Sequence, residues 1–339
     1  MELNLAQLQA VALGAVSVTR EEGGYYFHRF TDAQEEFYRL RDAGHYTKTF
    51  APAGIKLHFK TDSTRLFLQA EMTNGSSRFF FAFDVYVNGE LIGSMDNFTG
   101  VELPVGQPTV ELPLGLYEKE FELGPGEKEL AVYLPFSVKT LVKCVALDDG
   151  AFIEPLKSSK KLLAFGDSIT HGYDALHPAN MYITRVAEVL DAEEFNKGIG
   201  GEIFVPGLAA LREPYDPDYI TVAYGTNDWA RCTDGRLTVE EYRANCRAFY
   251  KTISDLYPAA KIYAISPIWR KGGDTAYACG TLAIAEEIIS DAVAELSNVT
   301  LIPGADLVPH EEELFADLRL HPNDAGFAHY AKNLLAAIG

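Results

Sequence analysis

The 339 residues are 47% hydrophobic and 23% charged, a soluble globular composition long enough for two domains. The net charge of −19 is spread evenly: 13 Lys and Arg against 22 Asp and Glu in residues 1–155, and 16 against 26 in residues 156–339. Such a surface argues against nucleic acid and anionic membranes, which are bound through basic patches.

The opening segment "MELNLAQLQAVALGAVSV" holds an apolar stretch, but Glu2 stands where a secretory leader needs positive charge. No run is apolar over the 18 residues a membrane span requires. Cys144, Cys232, Cys246 and Cys279 are scattered without CxxC spacing. They point to a reducing compartment, with neither a disulfide framework nor a zinc site. A cytoplasmic protein without metal or cofactor is the expectation.

Up to about residue 155 the pattern is short, β-branched or aromatic and period two. "GIKLHFKT", "RLFLQAEM", "RFFFAFDVYV", "ELAVYLPF" and "LVKCVAL" read as strands. Asn88-Gly89 between "FDVYV" and "ELIGSM" predicts a tight hairpin, and Gly124-Pro125-Gly126 another turn. One helix is expected, "TDAQEEFYRLRD", capped by Thr31 or Asp32. Many short strands between turns predict a β-sandwich of jelly-roll type over residues 1–155. The polar segment 152–161 is read as the linker.

Over residues 156–339 the pattern becomes strand, helix, strand. Strands are expected at "KLLAFG", "EEFNKGI", "YITVAYG", "KIYAISPI" and "VTLIPG", with helices over 238–257, 281–296 and "DAGFAHYAKNLLAAI". This alternation predicts an α/β domain with a parallel sheet covered on both faces. Such sheets place their sites beyond the strands' C-terminal ends. The small and polar clusters there are Gly166-Asp167-Ser168, Gly198 to Glu202, Gly225 to Asp228, and Ser266 to Arg270.

Ser168 lies between a strand end and a helix start, where free N–H groups can bind an anion. Gly200 and Gly201 permit close backbone approach, and Asn227 carries an amide donor. His321, in "DLRLHPNDAG", is a candidate base, with Asp317 four residues upstream. Together these are the parts of an acyl-transfer site. Asp167 and Asp228 read as loop-holding acids, and His171 and His177 as rim residues. Trp229, Trp269 and Arg270, at the same sheet edge, are candidate pocket residues.

"GDSIT" at 166–170, "NKGIGGE" at 196–202, "YGTND" at 224–228 and "HPNDAG" at 321–326 resemble, in order, the four blocks of the SGNH (GDSL-type) hydrolases. The resemblance implies a flavodoxin-like five-stranded parallel sheet and metal-independent ester hydrolysis. It implies Ser168 as nucleophile, with Ser168, Gly201 and Asn227 forming the oxyanion hole and His321 as base. That family places its acid three residues before the histidine, where this chain has Leu318. Asp317 on a helical turn, Asp317 on a loop with one extra residue, and a dyad oriented by a backbone carbonyl are the three alternatives, with Asp317 favoured as acid. A sandwich ahead of such a domain is similar to carbohydrate esterases, including family two, which implies short-chain acyl esters and O-acetylated oligosaccharides as substrates. A lipid-directed esterase or thioesterase on the same scaffold, and a non-catalytic carbohydrate-binding protein, are the alternative readings.

Overall fold

The structure is a computed structural model that describes residues 1–21 and 23–339. Period-two patterning becomes strands Lys56–Thr61 and Arg65–Thr73, in which every second residue is buried. They belong to two antiparallel sheets. One runs Ala12–Leu13, Lys56–Thr61, Lys128–Tyr133, Ala82–Val87, Glu90–Asp96, with Glu154–Pro155 added on Lys56–Thr61. The other runs Ser17–Glu21, Gly24–His28, Lys139–Leu147, Arg65–Thr73, Gly115–Glu122. Leu57, Phe59 and Phe83 of the first meet Leu66, Leu68 and Val145 of the second in one core. Asn88 and Gly89 join their strands with φ of 50° and 82°, the left-handed pair that a two-residue hairpin turn requires.

Three expectations change here. Only Ala82–Val87 of "RFFFAFDVYV" is strand. Phe80 turns away and is buried with Phe136, Ile169 and Met181, so the two halves of the chain share a core cluster. The expected helix is present as Asp32–Arg41, capped by Thr31. Two further seven-residue helices, Leu5–Val11 and Ala43–Thr49, are not predicted by the pattern, because so short a segment carries little periodicity.

The second half forms a parallel sheet from β1 (Lys160–Gly166), β2 (Ala192–Gly198), β3 (Tyr219–Ala223), β4 (Lys261–Ile265) and β5 (Val299–Ile302). Their order is β2-β1-β3-β4-β5, the flavodoxin-like order. Along β1, Leu162 and Ala164 face helices Tyr182–Val189 and Asp324–Ile338, while Leu163 and Phe165 face Val239–Leu256 and Ile284–Val293. Strand order reverses between β1 and β3, and that switch point opens the crevice where the polar clusters converge. No helix among the described residues is long and apolar enough to cross a membrane.

Candidate active site

β1 ends at Gly166, where a Cβ would stand 2.0 Å from Thr170 Oγ1, so only glycine lets the chain turn at once into the short helix Ser168–His171. Asp167 caps that helix by accepting the Ile169 N–H at 2.9 Å. Burial pushes its carboxyl up to about 6. Ser168 opens the helix, so its N–H has no intrahelical acceptor.

His321 comes from the other end of the chain. The Ser168 hydroxyl donates to His321 Nε2 at 2.8 Å, and Nδ1–H donates to Asp317 Oδ2 at 2.8 Å. The second Asp317 oxygen accepts the N–H groups of Arg319, Leu320 and His321 at 3.0, 2.7 and 3.1 Å. Burial alone would raise the Asp317 carboxyl. The His321 hydrogen bond and charge, with the backbone donors, outweigh it and hold the group well below the usual carboxylate range. The segment is a tight loop and not a helical turn: Phe315 bridges Pro322, the Ala316 N–H reaches the His321 carbonyl at 2.9 Å, and Leu318 has φ of 54°. The additional residue is absorbed at Leu318.

Gly201 has φ of 88°, a left-handed conformation that favours glycine. The Asn227 amide donates to the Glu202 carbonyl at 3.0 Å, which ties the third block to the second. Asp228 accepts the Phe204 N–H at 3.1 Å, and burial pushes its carboxyl up to about 7.

The remaining predicted residues divide. Trp229 is buried, its Nε1–H donating to the Gly280 carbonyl and its ring under the Arg270 guanidinium. Trp269 stacks on His310, and with Arg270 and Glu286 it lines a cavity of about 250 Å³ beyond β4 and β5. Arg270 itself is buried and donates to Thr226 Oγ1 at 3.1 Å. His171, expected at a rim, is fully buried, its Nδ1 accepting the Gly200 N–H at 3.3 Å, because the helix Ser168–His171 packs directly beneath the glycine loop. His177 is partly exposed, with Nδ1 2.8 Å from Asp84 Oδ1.

The sandwich half contributes groups to which the sequence pattern assigns no site. Buried Arg29 donates to the carbonyls of Asn196 and Gly198 at 2.8 and 3.1 Å. Lys48 donates to the Gly200 carbonyl at 2.6 Å, and Arg41 clamps the Glu202 carboxylate with two bonds. His45 Nε2 stands 3.6 Å from where a Cβ on Gly201 would lie. Arg78 clamps both oxygens of Asp174 and lies 3.4 Å from His321 Nδ1. No sequence signal marked these residues, since each acts across a fold boundary.

Asp174, Asp317 and His321 hold three atoms of metal-ligand type within 4.8 Å of one another. The residues do not suit a cation, which would have to displace the Arg78 guanidinium from Asp174 and the proton from Nδ1.

Residues 164–329 match the family described as GDSL-like lipase/acylhydrolase. This part of the chain belongs to the GDSL-like lipase/acylhydrolase family. It is an ester-hydrolysing domain, with the flavodoxin-like sheet described above. Solved structures are similar over most of the length. The salicylyl-acyltransferase SsfX3, from a tetracycline biosynthetic pathway, is 23% identical with a TM-score of 0.81, covering 97% of this chain and 94% of that one. A Bacteroides ovatus protein described as a GDSL-like lipase is 18% identical with a TM-score of 0.76, covering 100% and 96%. A family two carbohydrate esterase from Clostridium thermocellum, solved with cellohexaose, is 15% identical with a TM-score of 0.62, covering 84% and 92%. No curated protein matches the chain.

Proposed function

We propose that the protein is a serine esterase for short-chain acyl esters, foremost O-acetyl groups on oligosaccharides. The observation that carries the reading is the continuous relay from the Ser168 hydroxyl through His321 to Asp317, at 2.8 Å for each step.

In this reading Asp317 fixes the tautomer in which Nδ1 carries the proton, leaving Nε2 free to accept the proton of Ser168. The alkoxide attacks the acyl carbonyl. The resulting oxyanion is stabilised by the N–H groups of Ser168 and Gly201 and by the Asn227 amide. Imidazolium then donates its proton to the sugar oxygen as its bond to the acyl carbon breaks, and the sugar leaves as a free hydroxyl. A water deprotonated by His321 attacks the acyl-enzyme, the bond to Ser168 Oγ breaks as the imidazolium returns its proton there, and the acid is released. Arg29, Lys48 and Arg41 hold the glycine loop from the sandwich side, which supports bracing as the first role of that domain.

The carbohydrate substrate is supported by likeness to proteins named as carbohydrate esterases, one of them holding cellohexaose. A different observation favours a second reading, a bulkier apolar acyl group. Leu103, Val105, Val110, Phe315 and Leu318 line a cavity of about 340 Å³ that reaches Asp174 behind the catalytic loop.

Hydrolysis of p-nitrophenyl acetate and octanoate by wild type, Ser168→Ala and His321→Ala tests both readings. Acetate preference lost in both variants supports the acetylesterase. Faster turnover of octanoate moves the substrate class to the second reading. Equal activity in Ser168→Ala overturns the site.

A further inference from the structure

Arg78 lies in the connection between strands Arg65–Thr73 and Ala82–Val87 of the sandwich, yet it points into the other half of the molecule. Its fork takes both oxygens of Asp174, with Nη2 to Oδ2 at 2.9 Å. Asp174 is 2% exposed and Arg78 6%. The guanidinium also lies 4.9 Å above the Tyr173 ring, which packs 6.0 Å from the His321 ring. A buried, bidentate ion pair between the two halves therefore stands directly behind the imidazole.

The consequence lies at Nδ1 of His321. Two carboxylates face this one N–H: Asp317 Oδ2 at 2.8 Å and Asp174 Oδ2 at 3.6 Å. The imidazole keeps its present direction toward Ser168 only while Asp317 is the partner. A buried carboxylate without a cation of its own is a strong competitor for the nearest donor. We propose that Arg78 is a positioning residue of the active site: by engaging both oxygens of Asp174 it reserves the Nδ1 proton of His321 for Asp317. The sandwich domain thus supplies a working part of the catalytic half. The inference rests on the reading of Ser168 and His321 as the reacting pair.

The charged groups around the imidazole are Asp317 on its own loop, Asp167 and Asp174 on either side of the nucleophile helix, and Arg78 from the sandwich; Arg270 after β4 faces Asp167 and Asp317, with Arg319 beside it. Removing one member of the Arg78–Asp174 pair exposes the charge of the other to His321, with opposite sign in the two cases.

The experiment is the pH profile of kcat/KM on p-nitrophenyl acetate for wild type, Arg78→Met, Asp174→Asn and the double variant, with Ser168→Ala as control. In Arg78→Met the bared carboxylate favours imidazolium, and the acid limb moves up by about one pH unit. In Asp174→Asn the bared guanidinium disfavours it, and the limb moves down by a similar amount. In the double variant the limb returns to the wild-type position, and kcat stays below wild type because the clamp is gone. Unmoved acid limbs in both single variants, whatever their loss of rate, would overturn the proposal and leave the pair a domain tie. Should Arg78→Met not fold, the near-isosteric Asp174→Asn decides alone, by a lowered limb or an unchanged one. Full activity in Ser168→Ala would instead remove the reacting pair, and the proposal with it.

Discussion

The carboxylate of Asp317 holds His321 twice: one oxygen takes the side-chain Nδ1–H and the other takes the backbone N–H of the same residue. Ring direction and loop shape therefore depend on a single group. Replacing it by asparagine keeps the size but lets an amide face Nδ1, which admits the wrong tautomer. We expect Asp317→Asn to lose about 10²–10⁴ in kcat on p-nitrophenyl acetate with a small change in KM. Near-normal turnover would reject Asp317 as the acid.

Asp317 also bears on acid stability. Its folded-state affinity for protons is depressed, so its contribution to stability is complete above the ordinary carboxylate range and is lost as pH falls below about 4. Urea titrations at pH 6 and pH 3 should show Asp317→Asn losing less stability over that interval than wild type. Parallel losses would contradict this linkage.

Asp228 works with the opposite sign. Burial raises it to about 7, so ionisation between about pH 4 and pH 7 opposes folding, and stability falls as pH rises through that window. Asp228→Asn keeps an oxygen for the Phe204 N–H and cannot ionise. Relative to wild type it should gain about 2 kcal/mol between pH 5 and pH 8, read from urea midpoints. A difference that does not change with pH would mean that the wild-type carboxyl is already ionised in the folded protein throughout this range.

The Gly201 backbone is testable apart from crowding. Its Cβ position meets nothing nearer than His45 Nε2 at 3.6 Å, so Gly201→Ala introduces left-handed strain without a clash. The expected loss of stability is about 1–2 kcal/mol. If the Gly201 N–H serves the oxyanion, kcat on the acetate ester should fall at least about tenfold as the peptide turns. Strain without loss of rate would exclude that N–H from the oxyanion hole.

Arg29 is a fully buried polar tie between the halves. It donates to the carbonyls of Lys48, Ala51, Asn196 and Gly198, and burial lowers its guanidinium to about 10. Arg29→Met leaves those carbonyls without their donor, and we expect about 3–5 kcal/mol of destabilisation in urea. Rate should fall at temperatures where the variant is still folded, since Gly198 opens the glycine loop. Full activity in a folded variant would show that the loop keeps its shape unaided.

The sequence by itself determined the α/β half almost completely, because apolar runs near strand length alternating with long amphipathic helices leave few other arrangements. It also placed Ser168, Gly201 and Asn227 beyond strand ends, where small and polar clusters interrupt otherwise buried runs, and His321 just before the last helix. Helices that were long and capped, such as Val239–Leu256, were legible, while the seven-residue Ala43–Thr49 was not. What only the tertiary structure decided were the partners. A spacing of four between Asp317 and His321 fits a helical turn as well as a loop, and the left-handed Leu318 decides for the loop. Arg29, His45, Lys48 and Arg78 look like ordinary residues of a β-rich half until folding sets them against the glycine loop and the imidazole. Sequence patterning records which face of an element is buried. It carries no record of which distant element covers that face, and the electrostatics of His321 depend on that contact.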